Sequence, residues 1–292
     1  MRDSNDRDPG LHQAPSGIDA LLPDQIALKA EQAGAHKARM PATSLLALAV
    51  LAGAFIAIGA LFAMTASAGL PPELAPFGRV LGGLAFSLAL VLVIVGGAEL
   101  FTSNNLMVMA VVSGRIGLGE LLRAWVLVYL GNLAGALATG VMAVLAGLSL
   151  REDSLLGTKA TAVASAMAEL GTLETFFAGV LGNVLVCLAV WISYSGRTTT
   201  DRILAVVPPI VAFYALGLEH VIATMFYFPF AYAHALAAGN PLFAGSDGAR
   251  IGLDAFTLHL LPVTLGNIVG GGFLVGAVYW FVYLSGRRHP EA

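Results

Sequence analysis

Residues 93–103 read Val93-Ile94-Val95-Gly96-Gly97-Ala98-Glu99-Leu100-Phe101-Thr102-Ser103. A long apolar run meets two glycines and then a carboxylic acid. Glycine takes the left-handed conformation that ends helices, and an acid inside a hydrocarbon-spanning stretch is costly and rarely carried without purpose. The stretch therefore describes a membrane helix interrupted part-way. Gly217-Leu218-Glu219-His220 repeats the device further along the chain.

The composition fits a protein dissolved in lipid. Of 292 residues, 58% are hydrophobic and 11% charged, against about 25% charged in a soluble domain. Fifteen Lys and Arg against eighteen Asp and Glu are too balanced for a nucleic-acid surface. The single Cys187 rules out an internal disulfide and a cysteine-built metal centre, and its apolar neighbours suggest a packing thiol. No phosphate loop or dinucleotide fingerprint appears, and no nucleophile–base pair can be assembled. The expectation is a protein without cofactor or metal, and not an enzyme.

A bilayer core of about 30 Å needs about 20 apolar residues per helix. Six segments have that length, at 45–69, 78–112, 119–148, 172–194, 203–230 and 257–284. The second and fifth are interrupted, the fifth by Pro208-Pro209 as well as by its Gly-Leu-Glu-His stretch. Ahead of them the first 43 residues are polar, with 1–17 read as disordered and Asp24–Arg39 as a short surface helix. Residues 1–43 and 287–292 are read as cytoplasmic segments flanking a six-span domain over 44–286. Arg2, Arg7, Lys29, Lys37, Arg39, Arg115, Arg123, Arg197, Arg202, Arg287 and Arg288 then fall on the inner side, eleven of the fifteen basic residues. Arg79, Arg151, Lys159 and Arg250 fall outside, as the positive-inside rule expects for an even number of spans. Glu73, Glu152, Asp153 and Asp247 accompany most of these four.

The halves echo each other. Gly97-Ala98-Glu99-Leu100 matches Gly217-Leu218-Glu219-His220, and Leu130-Gly131-Asn132-Leu133-Ala134-Gly135 matches Leu265-Gly266-Asn267-Ile268-Val269-Gly270. Three spans followed by three more run in opposite directions, so the expected fold is an all-α inverted 3+3 repeat with helices two and five broken at a midplane pore. A break exposes backbone N–H groups that suit an anion. Asn132 and Asn267 also admit a plain packing role. Glu99 and Glu219 either cap exposed amides or work in transport. His220 is either a satisfied buried imidazole or a pore group. His234 and His259 are read as ordinary interface residues; His12, His36 and His289 are read as solvent-facing.

Leu100-Phe101-Thr102-Ser103, Glu219-His220-Val221-Ile222-Ala223 and Asn183-Val184-Leu185-Val186-Cys187-Leu188-Ala189-Val190-Trp191 resemble the formate/nitrite transporter family. Leu51-Ala52-Gly53-Ala54-Phe55-Ile56-Ala57-Ile58-Gly59, Tyr194-Ser195-Gly196-Arg197 and Pro262-Val263-Thr264-Leu265-Gly266-Asn267 extend the likeness over 45–284, closest to its formate-channel branch. The resemblance implies a homopentamer of aquaporin-like protomers in a prokaryotic inner membrane, each passing small anions such as formate or nitrite, with protons and lipid as its other partners. It implies His220 as the central pore histidine, Thr102 as its hydroxyl partner, and Asn183 and Glu219 as its polar supports. It also implies Leu90 and Phe213 at an outer apolar constriction, with Phe86, Leu100 and Phe101 lining the pore or an inner one.

Two positions depart from the family pattern: Met167 stands where a vestibule lysine is usual, Lys159 being the nearest substitute, and Thr224 stands where the formate-channel pattern has Asn. Nitrite, hydrosulfide and neutral solutes are the alternative cargoes. The paired Asn-Pro-Ala boxes of water channels are missing, Asn240-Pro241-Leu242 being one near match.

An apolar constriction rejects a bare anion, because stripping its hydration costs more than Leu and Phe can return. A histidine between two such steps, titrating near neutral pH when unperturbed, suits a cargo that gains or loses a proton on the way.

Overall fold

The computed structural model describes residues 20–151, 155–239 and 252–286. The expected disorder at 1–17, the tail at 287–292, Arg2, Arg7, Glu152, Asp153, Asp247, Arg250, Arg287, Arg288, His12, His289 and the Asn240-Pro241-Leu242 match lie outside the described residues. Among those described, all regular structure is helical.

Helix α1 (Pro23–Ala38) precedes the spans α2 (Ala42–Ser67) and α3 (Ala75–Gly96). A tight turn (Ser103–Met107) and α4 (Val108–Val112) continue from α3, then come α5 (Leu118–Leu145), α6 (Leu155–Glu169) and α7 (Thr172–Ser193). Helices α8 (Thr199–Ala215) and α9 (Val221–Ala237) form the divided fifth span. The sixth runs through α10 (Leu253–Ile268), a π-helical stretch (Val269–Ala277) and α11 (Val278–Tyr283). Five helices are long and apolar enough to cross a membrane uninterrupted. The chain is a multi-pass membrane protein.

Both breaks are made the same way. Gly97 (φ +81°) follows α3, and Gly217 (φ +67°) ends the turn after α8. At each, the next amide bonds back to a carbonyl five residues earlier: Ala98 to Val93, and Leu218 to Phe213. A side chain at these φ values would be strained, which is why glycine occupies them. The acid that follows then bonds through its amide to a neighbouring helix, Glu99 to Leu48 and Glu219 to Ala178.

Pro208 and Pro209 do not divide the fifth span as expected; α8 runs through both. Proline removes an amide donor without imposing the left-handed turn that ends a helix, and membrane helices tolerate it when neighbours satisfy the freed groups.

The stretch read as an outer connection, 148–172, instead contains α6. Its buried residues Gly157, Ala160 and Ala164 are small, and its packing against α9 gives it a place. Hydropathy alone does not register so short and alanine-rich a helix. Helix α1 is likewise not a free surface helix: Ala27, Ala30 and Ala35 are buried, and it packs on the turn after the first break. The α1 face and the α6 face are thus the two ends of the bundle.

Candidate functional site

Two asparagines on long helices hold the two breaks. Asn132 Nδ2 donates to the carbonyls of Ala49 (2.8 Å) and Glu99 (2.9 Å), and its Oδ1 accepts from the Phe101 amide at 2.9 Å. Asn267 Nδ2 donates to the carbonyls of Gly179 (2.8 Å) and Glu219 (3.1 Å), while its Oδ1 accepts from the Val221 amide at 2.9 Å. Each asparagine satisfies one amide and one carbonyl of the break and ties them to a carbonyl of a neighbouring helix. Capping of the exposed amides therefore falls to Asn132 and Asn267, not to the two glutamates.

The break geometry brings His220 and Thr102 together. His220 begins α9 in an extended conformation (φ −135°, ψ 117°), and its Nδ1 accepts from the Ala223 amide at 3.2 Å. A backbone amide can only donate, so Nδ1 carries no proton and the ring proton sits on Nε2. Nε2 lies 2.8 Å from Thr102 Oγ1, to which it donates. Thr102 is itself fixed, its carbonyl accepting from Asn183 Nδ2 (3.2 Å), Asn105 Nδ2 (3.1 Å) and the Cys187 thiol (3.4 Å). Asn183 also donates to the Asn267 carbonyl at 2.7 Å. Asn183 thus supports His220 only through Thr102. Thr224 bonds its hydroxyl to the His220 carbonyl at 3.3 Å, within its own helix.

Glu219 turns away from His220. Its Oε2 meets His259 Nε2 at 3.1 Å, and both side chains are buried. The reading of His259 as an interface residue is corrected accordingly, and His234 is buried too, against Gly157. His36 is exposed. The other acid, Glu99, pairs with Lys37 of α1 at 3.0 Å, and Asn104 bridges both, donating to Glu99 (2.9 Å) and accepting from Lys37 (2.8 Å). Burial acts to lower the Lys37 pKa, but the Glu99 carboxylate and Tyr194 together outweigh it and hold the ammonium above its ordinary range.

On the α6 face a cavity of about 400 Å³ has His220 in its lining. Phe86 and Phe213 line it with ring centroids 6.0 Å apart, and the Phe213 ring meets the His220 imidazole edge-on at 6.1 Å. Leu90, Leu100, Phe101 and Thr102 are buried and are not among its lining residues. Phe101 packs edge-to-face on Trp125 and Tyr129 of α5. Met167 lines the cavity; Lys159 does not, and the cation in the wall is Arg79, near the start of α3, which the sequence reads as lying on the outer side. No spacing in the sequence marks Arg79 as the vestibule charge, because α6 and α8 close the wall around it.

A family model for formate/nitrite transporters matches residues 24–281. The chain belongs to the formate/nitrite transporter family. Within that family it is similar to the formate channel FocA of Escherichia coli K12, 39% identical over 285 residues that cover 95% of this chain and 99% of that one. The formate channel FocA of Haemophilus influenzae is 38% identical over 268 residues, 88% of this chain and 93% of its own. A pentameric formate channel solved with formate bound superposes at a TM-score of 0.75 with 36% identity, covering 84% of this chain and 98% of that one. An ion channel of the same family gives 0.77 at 29% identity, over 88% and 98%. Among formate/nitrite transporters, then, the likeness runs over nearly the whole chain.

Proposed function

We propose that this chain is a channel, not an enzyme, that passes small monovalent weak-acid anions, formate first, as a homopentamer in a prokaryotic inner membrane. The observation that carries the reading is the 2.8 Å contact between Thr102 Oγ1 and Nε2 of His220, a residue that lines a cavity walled by Phe86 and Phe213. The similarity to named formate channels supports the cargo, and the pentameric relative supports the assembly.

The six spans over 44–286 carry conduction, with the α1 face and both termini cytoplasmic; Lys29, Lys37, Arg39, Arg115, Arg123, Arg197 and Arg202 support that orientation. The matched bonds of Asn132 and Asn267 support an inverted 3+3 repeat of aquaporin-like kind.

An anion that enters this cavity and reaches His220 meets its Nε2 proton. It takes that hydrogen bond in place of Thr102, whose hydroxyl then turns its own proton to the cargo. Leu90 with Phe213 on one side of His220, and Leu100 with Phe101 on the other, make apolar steps that a charged carboxylate crosses far less readily than its acid. Conduction is therefore coupled to protonation of the cargo at His220: the proton comes from cavity water while the Nε2–H bond holds the anion and the imidazole keeps its own proton, with Thr102 as partner, Asn183 holding Thr102 in place and Glu219 in the vestibule wall.

Stopped-flow uptake into proteoliposomes tests this with formate, nitrite, hydrosulfide, lactate and glycerol at several pH values, wild type beside His220→Asn and Thr102→Ala. Formate uptake that loses its pH dependence in His220→Asn supports the reading. Passage of glycerol with no anion uptake overturns it.

A further inference from the structure

The Glu219–His259 pair lies between two cavities on the α6 face. Glu219 lines the same cavity as His220. His259 lines a second one, of about 450 Å³, formed by the end of α6, the start of α7 and the first turns of α10. A lone carboxylate in the wall beside His220 would repel the anion the channel is built to admit.

We propose that His259 is the positioning residue that cancels this charge, its pairing with Glu219 making the wall of the anion path neutral when the pair holds one shared proton and negative when it does not. The inference rests on the anion-channel reading above. With Nδ1 protonated toward Thr175 Oγ1 and a second proton shared between Nε2 and Oε2, the pair carries no net charge, whichever of those two atoms holds it. Once the proton leaves to water, the pair carries one negative charge next to the imidazole that meets the cargo. The two cavities give water a route to either partner.

The groups around the pair leave His259 as the compensating partner. From α7, Thr175 Oγ1 lies 3.5 Å from His259 Nδ1, and from α9 the Phe228 ring lies 5.6 Å from the imidazole. Asp254 of α10 and Glu169 at the end of α6 line the second cavity and add only negative charge. Tyr227 of α9 lines the first cavity and feels the Glu219 charge. The π-helical stretch 269–277 brings no titratable side chain. Arg79, the cation in the first cavity, is exposed, and the ion pair that Glu219 makes is with His259.

The test is formate uptake into proteoliposomes across a range of outer pH, comparing wild type, His259→Gln and His259→Gln with Glu219→Gln. The single variant keeps a hydrogen-bond donor beside Glu219 but no proton to share. Its uptake is expected to fall about tenfold, with apparent KM rising more than the maximal rate changes. The double variant, neutral at every pH, is expected to recover most of the flux and to show a flatter pH profile than wild type. His259→Asn, run in parallel, serves if the Gln variant does not assemble. A single variant that matches wild type, or a double variant no better than the single, overturns the proposal while leaving the channel reading intact. Wild-type protein that carries no anion overturns the channel reading itself, and this inference with it.

Discussion

Thr102 Oγ1 and His220 Nε2 are 2.8 Å apart although 118 residues separate them in the chain. Each stands just after a break, and the asparagine that holds each break also sets where the contact falls. Because the Ala223 amide occupies Nδ1, the imidazole can present only Nε2–H to Thr102 or to a cargo.

Thr102→Val keeps the volume and removes the acceptor of a buried N–H. A buried donor without a partner costs about 1–3 kcal/mol. Formate uptake is expected to fall by about tenfold or more, with Thr102→Ser retaining most of it; equal rates for Val and wild type would show that the contact is only structural.

Asn267→Ala strands the Val221 amide and the Glu219 carbonyl and cuts the tie to Gly179 of α7, and Asn132→Ala does the same to the Phe101 amide, the Glu99 carbonyl and the tie to Ala49 of α2. Each is expected to destabilise the folded protein by about 2–4 kcal/mol. Thermal melting in detergent should therefore fall by similar amounts for the two, and a large drop for only one would deny their equivalence.

Lys37 ties α1 to the first break. Its pKa lies above the ordinary 10.5, so its contribution to stability is fully present below that value and is lost as pH rises through the folded-state value. Lys37→Met should melt below wild type by a constant margin from neutral pH up to the ordinary lysine range, and the margin should shrink only beyond it. A margin that closes near neutral pH would place the titration on another group.

Arg79 is the vestibule cation. Arg79→Gln is expected to raise the apparent KM for formate severalfold with little change in maximal rate, and to weaken the inhibition of uptake by added salt. Lys159→Gln should change neither, because Lys159 is not in the cavity wall.

Several features were legible because they are local. Hydropathy marked the lipid-soluble spans, the Gly-then-acid stretches marked the breaks at Gly97 and Gly217, and the repeated Gly-Asn pairs marked the helices that hold them. Pro208-Pro209 misled because proline weakens a helix without turning the chain, whereas the positive φ at Gly217 does turn it. Helix α6 was missed because its small residues become a packing face only against α9.

What the sequence by itself determined was the solvent, the spans and the points where helices stop, since each follows from the transfer free energy or backbone freedom of neighbouring residues. Only the tertiary structure decided the partners: Lys37 for Glu99, His259 for Glu219, Thr102 for His220, and Arg79 rather than Lys159 in the vestibule wall. A buried polar group must find its partner within about 3 Å, and which distant residue stands there is set by how the helices pack.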